Sequence, residues 1–168
     1  MKTISAIALI SFQLIFMVFV FEVKAQEKKE TEISWKSYAA VTEVSEMDQK
    51  KTMLFLEADW CTVCKRMHRE VFTDKEVIAL LNTHFIPVRM DIESDEMIKV
   101  KGYEVSKKEF SKRVGIYGTP TILFLDENED IIGNFVGYSD ENEMIKLLNF
   151  IHSEAYLNKT LDGYSYKP

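Results

Sequence analysis

Ala58-Asp59-Trp60-Cys61-Thr62-Val63-Cys64-Lys65 holds both cysteines of a 168-residue chain, three positions apart. A Cys-x-x-Cys alone is ambiguous, because two thiols at that spacing also serve as half of a zinc site or as a plain structural bridge. Its flanks narrow the reading. Thr52-Met53-Leu54-Phe55-Leu56-Glu57 is an apolar run of strand length, and Cys64, Met67, His68 and Val71 recur at helical spacing. The pair is therefore expected at a strand-to-helix turn, with Cys61 near the N-terminus of a helix over about 61–71.

Upstream, Ile33 to Trp35 reads as a short first strand and Tyr38 to Met47 as an amphipathic helix. Downstream, Thr73-Asp74-Lys75-Glu76 reads as a capping box with Thr73 at the N-cap, opening a helix that ends near His84. Phe85 to Ile92 follows as a strand, with Pro87 tolerable near its start or on an edge. Glu93 to Val105 lacks a clear period and reads as a loop with short structure around Met97 to Lys99. Ser106-Lys107-Lys108-Glu109 is a second capping box, leading to Gly115. Thr121 to Leu125 and Ile131 to Val136 are two strands joined by a turn-forming Asp126-Glu127-Asn128-Glu129-Asp130, hence a hairpin. Asp140 caps a final helix carrying Met144, Leu147, Leu148 and Ile151 on one stripe. This order predicts an α/β chain, a three-layer α/β/α sandwich around a central mixed sheet.

The first 25 residues stand apart. Lys2 precedes a nearly unbroken apolar run from Ile4 to Phe21, and Val23-Lys24-Ala25 offers a small-residue cleavage site. Residues 1–25 are read as a cleaved signal peptide; the run is also long enough to span a bilayer, so a retained anchor is the alternative. Residues 26–32 then form a flexible lead-in, 33–157 one domain and 158–168 a flexible tail. Export places the protein outside the cytosol, where an even pair of cysteines can cycle between dithiol and disulfide. The net charge of −6 argues against nucleic acid and anionic membrane as partners.

With the order of elements and the motif in hand, the chain resembles the thioredoxin superfamily. Trp60-Cys61-Thr62-Val63-Cys64-Lys65 matches the family's Trp-Cys-x-x-Cys-Lys, and Gly118-Thr119-Pro120-Thr121 matches the segment that carries its cis-proline. Within the superfamily the chain is similar to secreted bacterial members, among them the periplasmic thioredoxins of sulfur-oxidation clusters and the C-terminal domain of the transmembrane thiol reductase. Ala58-Asp59-Trp60-Cys61, Val71-Phe72-Thr73-Asp74 with Val77, and Phe135-Val136-Gly137-Tyr138 carry that narrower likeness. The resemblance implies a thioredoxin fold and a monomeric, cofactor-free thiol–disulfide oxidoreductase of the bacterial periplasm. It further implies reduction of protein disulfides, with electrons from a membrane-bound thiol donor. Trp60, Thr119 and Pro120 are then expected to shape the site, with the Thr119 backbone pairing with an extended substrate.

Two positions depart from the family. The buried carboxylate often found six residues before the first cysteine is Phe55 here, and an acid found in the reductase domain seven residues after it is His68. Glu57 is the nearest acid, and strict alternation along a strand puts it on the same face as Phe55.

A thiol near pKa 8.5 is mostly protonated at neutral pH, so the attacking sulfur needs a stabilised thiolate. Helix-terminal amides supply this, and Cys-x-x-Cys thiols reach pKa values of about 3.5 to 7. Cys61 is thus the expected nucleophile and Cys64, one turn on, the resolving thiol. Lys65 and Arg66 add positive charge nearby and Asp59 opposes them, leaving Lys65 and Glu57 as candidates for tuning the pair. A structural bridge is the bland alternative, yet closing so short a loop is worth only about 2 kcal/mol against about 4 or more for a long one. The sharper alternative is a carrier of copper or zinc, using Cys61, Cys64 and His68; a redox-inert binding module is a third reading.

Overall fold

The computed structural model describes residues 31–41 and 49–165. The expected signal segment lies outside them, as do most of the lead-in and residues 42–47 of the helix expected from Tyr38 to Met47. From Glu32 onward the chain forms one compact unit.

Strand β1, Lys51–Glu57, is central and carries five consecutive buried residues. Its neighbours explain why. The sheet order is β2-β1-β5-β6, where β2 is Phe85–Asp91, β5 is Thr121–Leu125 and β6 is Ile131–Val136. β2 runs parallel to β1, β5 antiparallel to β1 and β6 antiparallel to β5, so the sheet is mixed. A strand covered on both faces must be apolar along its whole length, which is why β1 does not alternate.

The parallel β1–β2 connection is made by helices α1 (Thr62–Glu70) and α2 (Lys75–His84). Between β2 and β5 lie a separate two-stranded hairpin, β3 (Met97–Val100) with β4 (Tyr103–Ser106), and helix α3 (Lys107–Arg113). Helix α4 (Glu141–His152) follows β6. Two buried clusters fill the two faces of the sheet. Met53, Phe55, Ile122 and Phe124 meet Cys64 and Met67 of α1, Leu81 of α2 and Leu148 of α4. Leu54, Leu56, Leu123 and Leu125 point the other way, toward Tyr38, Val41, Ile98, Val105 and Phe110. Helices on both faces of a mixed sheet give the expected three-layer sandwich. Each fully buried aliphatic or aromatic side chain contributes about 1.5–3 kcal/mol.

Several local readings need correction. Ile33 to Trp35 is not a strand; only Lys36 bridges Val88, on the outer edge of β2. Lys36 N–H donates to the Pro87 carbonyl at 2.8 Å, so the side of Pro87 that lacks an N–H faces away from β1. The N-cap of α2 is Asp74, which accepts from the N–H groups of Glu76 and Val77, whereas the Thr73 hydroxyl donates back to the Arg69 carbonyl. Thr73 completes the end of α1 and so is not available to start α2. Glu93 to Val105 contains the β3–β4 hairpin, turned at Lys101 and Gly102 with φ of 47° and 84°. The last segment, expected as a flexible tail, places Leu161 and Tyr164 against the core, with Tyr164 5.4 Å from Phe150.

Candidate active site

β1 ends at Glu57, and the chain turns through Ala58, Asp59 and Trp60 into α1. Cys61 is the N-cap of that helix in extended backbone geometry, and its Sγ accepts the N–H of Cys64 at 3.0 Å. A cap position directs free helix amides at the capping atom, so negative charge on Cys61 Sγ is stabilised there. Cys61 and Cys64 are joined in a disulfide, with Cα atoms 5.3 Å apart. Both are buried, in the same cluster as Phe55 and Met67.

The other side of the site comes from β5 and β6. Leu56 pairs with Thr121, which brings Pro120 beside the end of β1 where the cysteine turn begins. The Thr119–Pro120 peptide is cis. The Pro120 carbonyl accepts the N–H of Gly137 at 2.9 Å, and Thr121 Oγ1 donates to the Gly118 carbonyl at 2.8 Å. Thr119 Oγ1 is buried with no partner among the described residues. Around this end the apolar surface is open: Trp60 is 60% exposed and Tyr117 is 81% exposed. Trp60 Nε1 donates to Glu93 Oε2 at 3.0 Å, tying the tryptophan to the chain beyond β2. Tyr138, past β6, donates to Glu70 Oε2 at 3.0 Å and lies under the Arg66 guanidinium, which holds α1 to this edge.

Glu57 and Lys65, the two expected tuning residues, have different surroundings. Lys65 is exposed on the first turn of α1. Glu57 reaches the flank of the same helix, where Oε2 meets His68 Nε2 at 2.7 Å and Oε1 accepts from Arg89 Nε at 2.6 Å. Burial pushes the Glu57 carboxyl up, but the hydrogen bonds and charges of His68 and Arg89 outweigh it and hold the group below its ordinary value. His68 lies among three aromatic rings, 5.3 Å from Phe55, 5.4 Å from Phe72 and 6.2 Å from Trp35. The Glu57–His68 contact was not read from the sequence; the only signal was the alternation that places Glu57 on the Phe55 face. Among the described residues no group of three or more His, Cys, Asp or Glu side chains is arranged to hold a metal ion.

Residues 38–152 match the family model described as a thioredoxin-like domain. The chain belongs to the thioredoxin-like domain family. Its relatives include the thiol:disulfide interchange protein DsbD of Haemophilus ducreyi, 32% identical over 118 residues, covering 65% of this chain and 19% of that protein. The corresponding protein of Actinobacillus pleuropneumoniae is 31% identical over 102 residues, covering 60% and 16%. This thioredoxin-like chain thus spans less than a fifth of the length of these relatives. Among solved structures it superposes on a thioredoxin from Thermus thermophilus with a TM-score of 0.62, at 19% identity over 81% of this chain and 99% of that one. The oxidised C-terminal domain of DsbD from Neisseria meningitidis gives 0.51, at 19% identity over 65% and 87%. The bonded Cys-x-x-Cys at the cap of α1 thus sits in a thioredoxin-like domain, as a close cysteine pair able to exist as disulfide or dithiol.

Proposed function

We propose that this protein reduces disulfides of exported proteins in the bacterial periplasm, acting as a monomer after removal of residues 1–25. Cys61 is the nucleophile and Cys64 the resolving thiol. The observation that supports this most directly is Cys61 Sγ at the cap of α1, accepting a helix amide while Cys64 lies buried one turn on. The substrate disulfide approaches over the exposed Trp60 and Tyr117, and its backbone pairs beside Thr119 and Pro120. Lys65 adds positive charge near the thiolate. Electrons return from a membrane-bound thiol donor; the likeness to DsbD supports such a partner. Among the described residues no helix is long and apolar enough to cross a membrane.

The decisive experiment replaces Cys64 by Ser and incubates the reduced protein with a periplasmic extract. A mixed disulfide through Cys61 is expected, dispersed by reductant and absent in Cys61→Ser. Failure to trap any adduct, together with a wild type that does not reduce insulin, would remove the reading. Direction is tested by the reduction potential of the pair, expected near about −270 mV for a reductase and not near about −120 mV.

A further inference from the structure

Resolution of a mixed disulfide needs Cys64 as a thiolate, so its proton must leave as it attacks. Cys64 is 1% exposed and belongs to an apolar cluster with Phe55 and Met67. Along its helix Lys65 and Arg66 are exposed, and the first half-buried titratable group is His68, one turn on, where side chains four residues apart are neighbours with Cβ atoms about 5–6 Å apart. His68 is half-buried and rests on Phe55, which belongs to the same cluster as the two cysteines.

We propose that His68, oriented by Glu57, accepts the proton of Cys64 when Cys64 resolves the mixed disulfide. The proposal rests on the reading above that Cys61 carries the substrate and Cys64 releases it.

The geometry assigns each nitrogen. Glu57 receives Arg89 on Oε1 and is kept ionised, so Oε2 can only accept, and His68 Nε2 must carry the hydrogen in their 2.7 Å contact. In the neutral ring Nδ1 is then the basic nitrogen, and it has no protein partner among the described residues. Glu57 itself is a poor acceptor because both its oxygens are engaged by cationic or N–H donors. A base held by a third group is the usual arrangement for activating a thiol, and here Glu57 holds His68 one helical turn from Cys64. The rings of Trp35, Phe55 and Phe72 around the imidazole are compatible with the charged form it acquires. The charged groups that meet His68 from packed elements are Glu57 of β1 and, through it, Arg89 of β2. Trp35 and Phe72 do not titrate.

In the step itself Cys64 Sγ attacks Cys61 Sγ. The Cys61–Cys64 bond forms, the bond from Cys61 to the substrate sulfur breaks, and its electron pair leaves with the substrate as thiolate. The Cys64 proton passes to His68 Nδ1, directly or through one water, and the imidazolium then yields it to the departing thiolate or to solvent. In this step Cys64 is oxidised and the substrate sulfur bound to Cys61 is reduced; Cys61 was already oxidised when it captured the substrate.

Ellman's reagent separates the two steps, since reduced protein releases one aryl thiolate when Cys61 is captured and a second when Cys64 resolves the adduct. Stopped-flow traces between about pH 5 and 9 are compared for wild type, His68→Gln, His68→Ala and Glu57→Gln. The second phase at neutral pH is expected to slow about tenfold or more in His68→Gln and to recover only as pH approaches about 8.5. The first phase, which also reports an intact site, is expected to stay within about twofold of wild type, as befits a group that acts only on resolution. Glu57→Gln, which keeps the imidazole, gives an intermediate loss, and added imidazole accelerates the second phase of His68→Ala alone. A second phase in His68→Gln with the rate and pH profile of wild type would overturn the proposal while leaving the oxidoreductase intact. A wild type that never releases the second thiolate and does not reduce insulin would instead overturn the reading beneath it.

Discussion

Thr52 has no exposed surface, and its Oγ1 has no hydrogen-bond partner among the described residues. It lies in β1 between β2 and β5, paired with Ile86 and Leu125, so the hydroxyl is set into an apolar layer. Leaving such a group unpaired is costly, and Thr52→Val has nearly the same shape. The substitution should raise stability by about 1 kcal/mol, seen as a higher urea midpoint at unchanged slope. Thr119 Oγ1 is the comparable case at the active site, next to Pro120. At this scale the sequence was legible wherever flanking residues narrow the use of a motif. Cys61 and Cys64 at the head of a helix are of that kind. His68 is not, because its partner Glu57 is eleven positions away and meets it only once α1 packs on β1.

Among the elements, the start of α2 is a sharp test of what caps a helix. Asp74 accepts from two amides at 2.9 and 3.0 Å, while Thr73 bonds backward to α1. Asp74→Ala should cost about 1 kcal/mol in thermal or urea unfolding and Thr73→Ala clearly less. The opposite ranking would restore Thr73 as the cap. Elements with a long apolar surface were readable, α4 from its helical period and β1 and β5 from unbroken apolar runs of strand length. The β3–β4 hairpin was not, because its two four-residue strands each bury a single residue, Ile98 and Val105. Alternation needs more turns than that to show. The C-terminal ends of α2 and α4 also hold something spacing does not reveal: His84 and His152 stack with centroids 3.7 Å apart. Burial, the charge of His152 and that of Lys50 hold His84 below its ordinary value. The unfolded chain therefore binds that proton more readily, and stability rises with pH through the window from the lowered value up to about 6.5. Acidification from about pH 7.5 to 5.5 should lower the urea midpoint, and His152→Gln should flatten that dependence. An unchanged slope in the variant would show that the stack is not its source.

Across the described body, three segments far apart in sequence converge on one carboxylate. Glu129, buried in the β5–β6 turn with φ of 61°, accepts from the Tyr38 hydroxyl at 3.0 Å and from the Lys101 N–H at 3.3 Å. The Tyr38 phenol is pushed well above its ordinary value, by burial first and by Glu129 second, so it stays a donor at all physiological pH. Tyr38→Phe should lower global stability by about 1–2 kcal/mol, read as a shifted unfolding midpoint. The layered sandwich was legible because element order alone restricts it, whereas this junction depends on where two turns come to rest. The two tryptophans are placed just as selectively. Trp60 adjoins Cys61, and Trp35 leans on His68 and Phe72. A disulfide and an imidazolium both quench indole emission at short range. In Trp35→Phe, reducing the pair should brighten the remaining Trp60. In Trp60→Phe, emission from Trp35 should follow the protonation of the imidazole instead. An unlabelled sample thus carries two optical channels, one for the oxidation state of the sulfurs and one for the charge on the ring beside them.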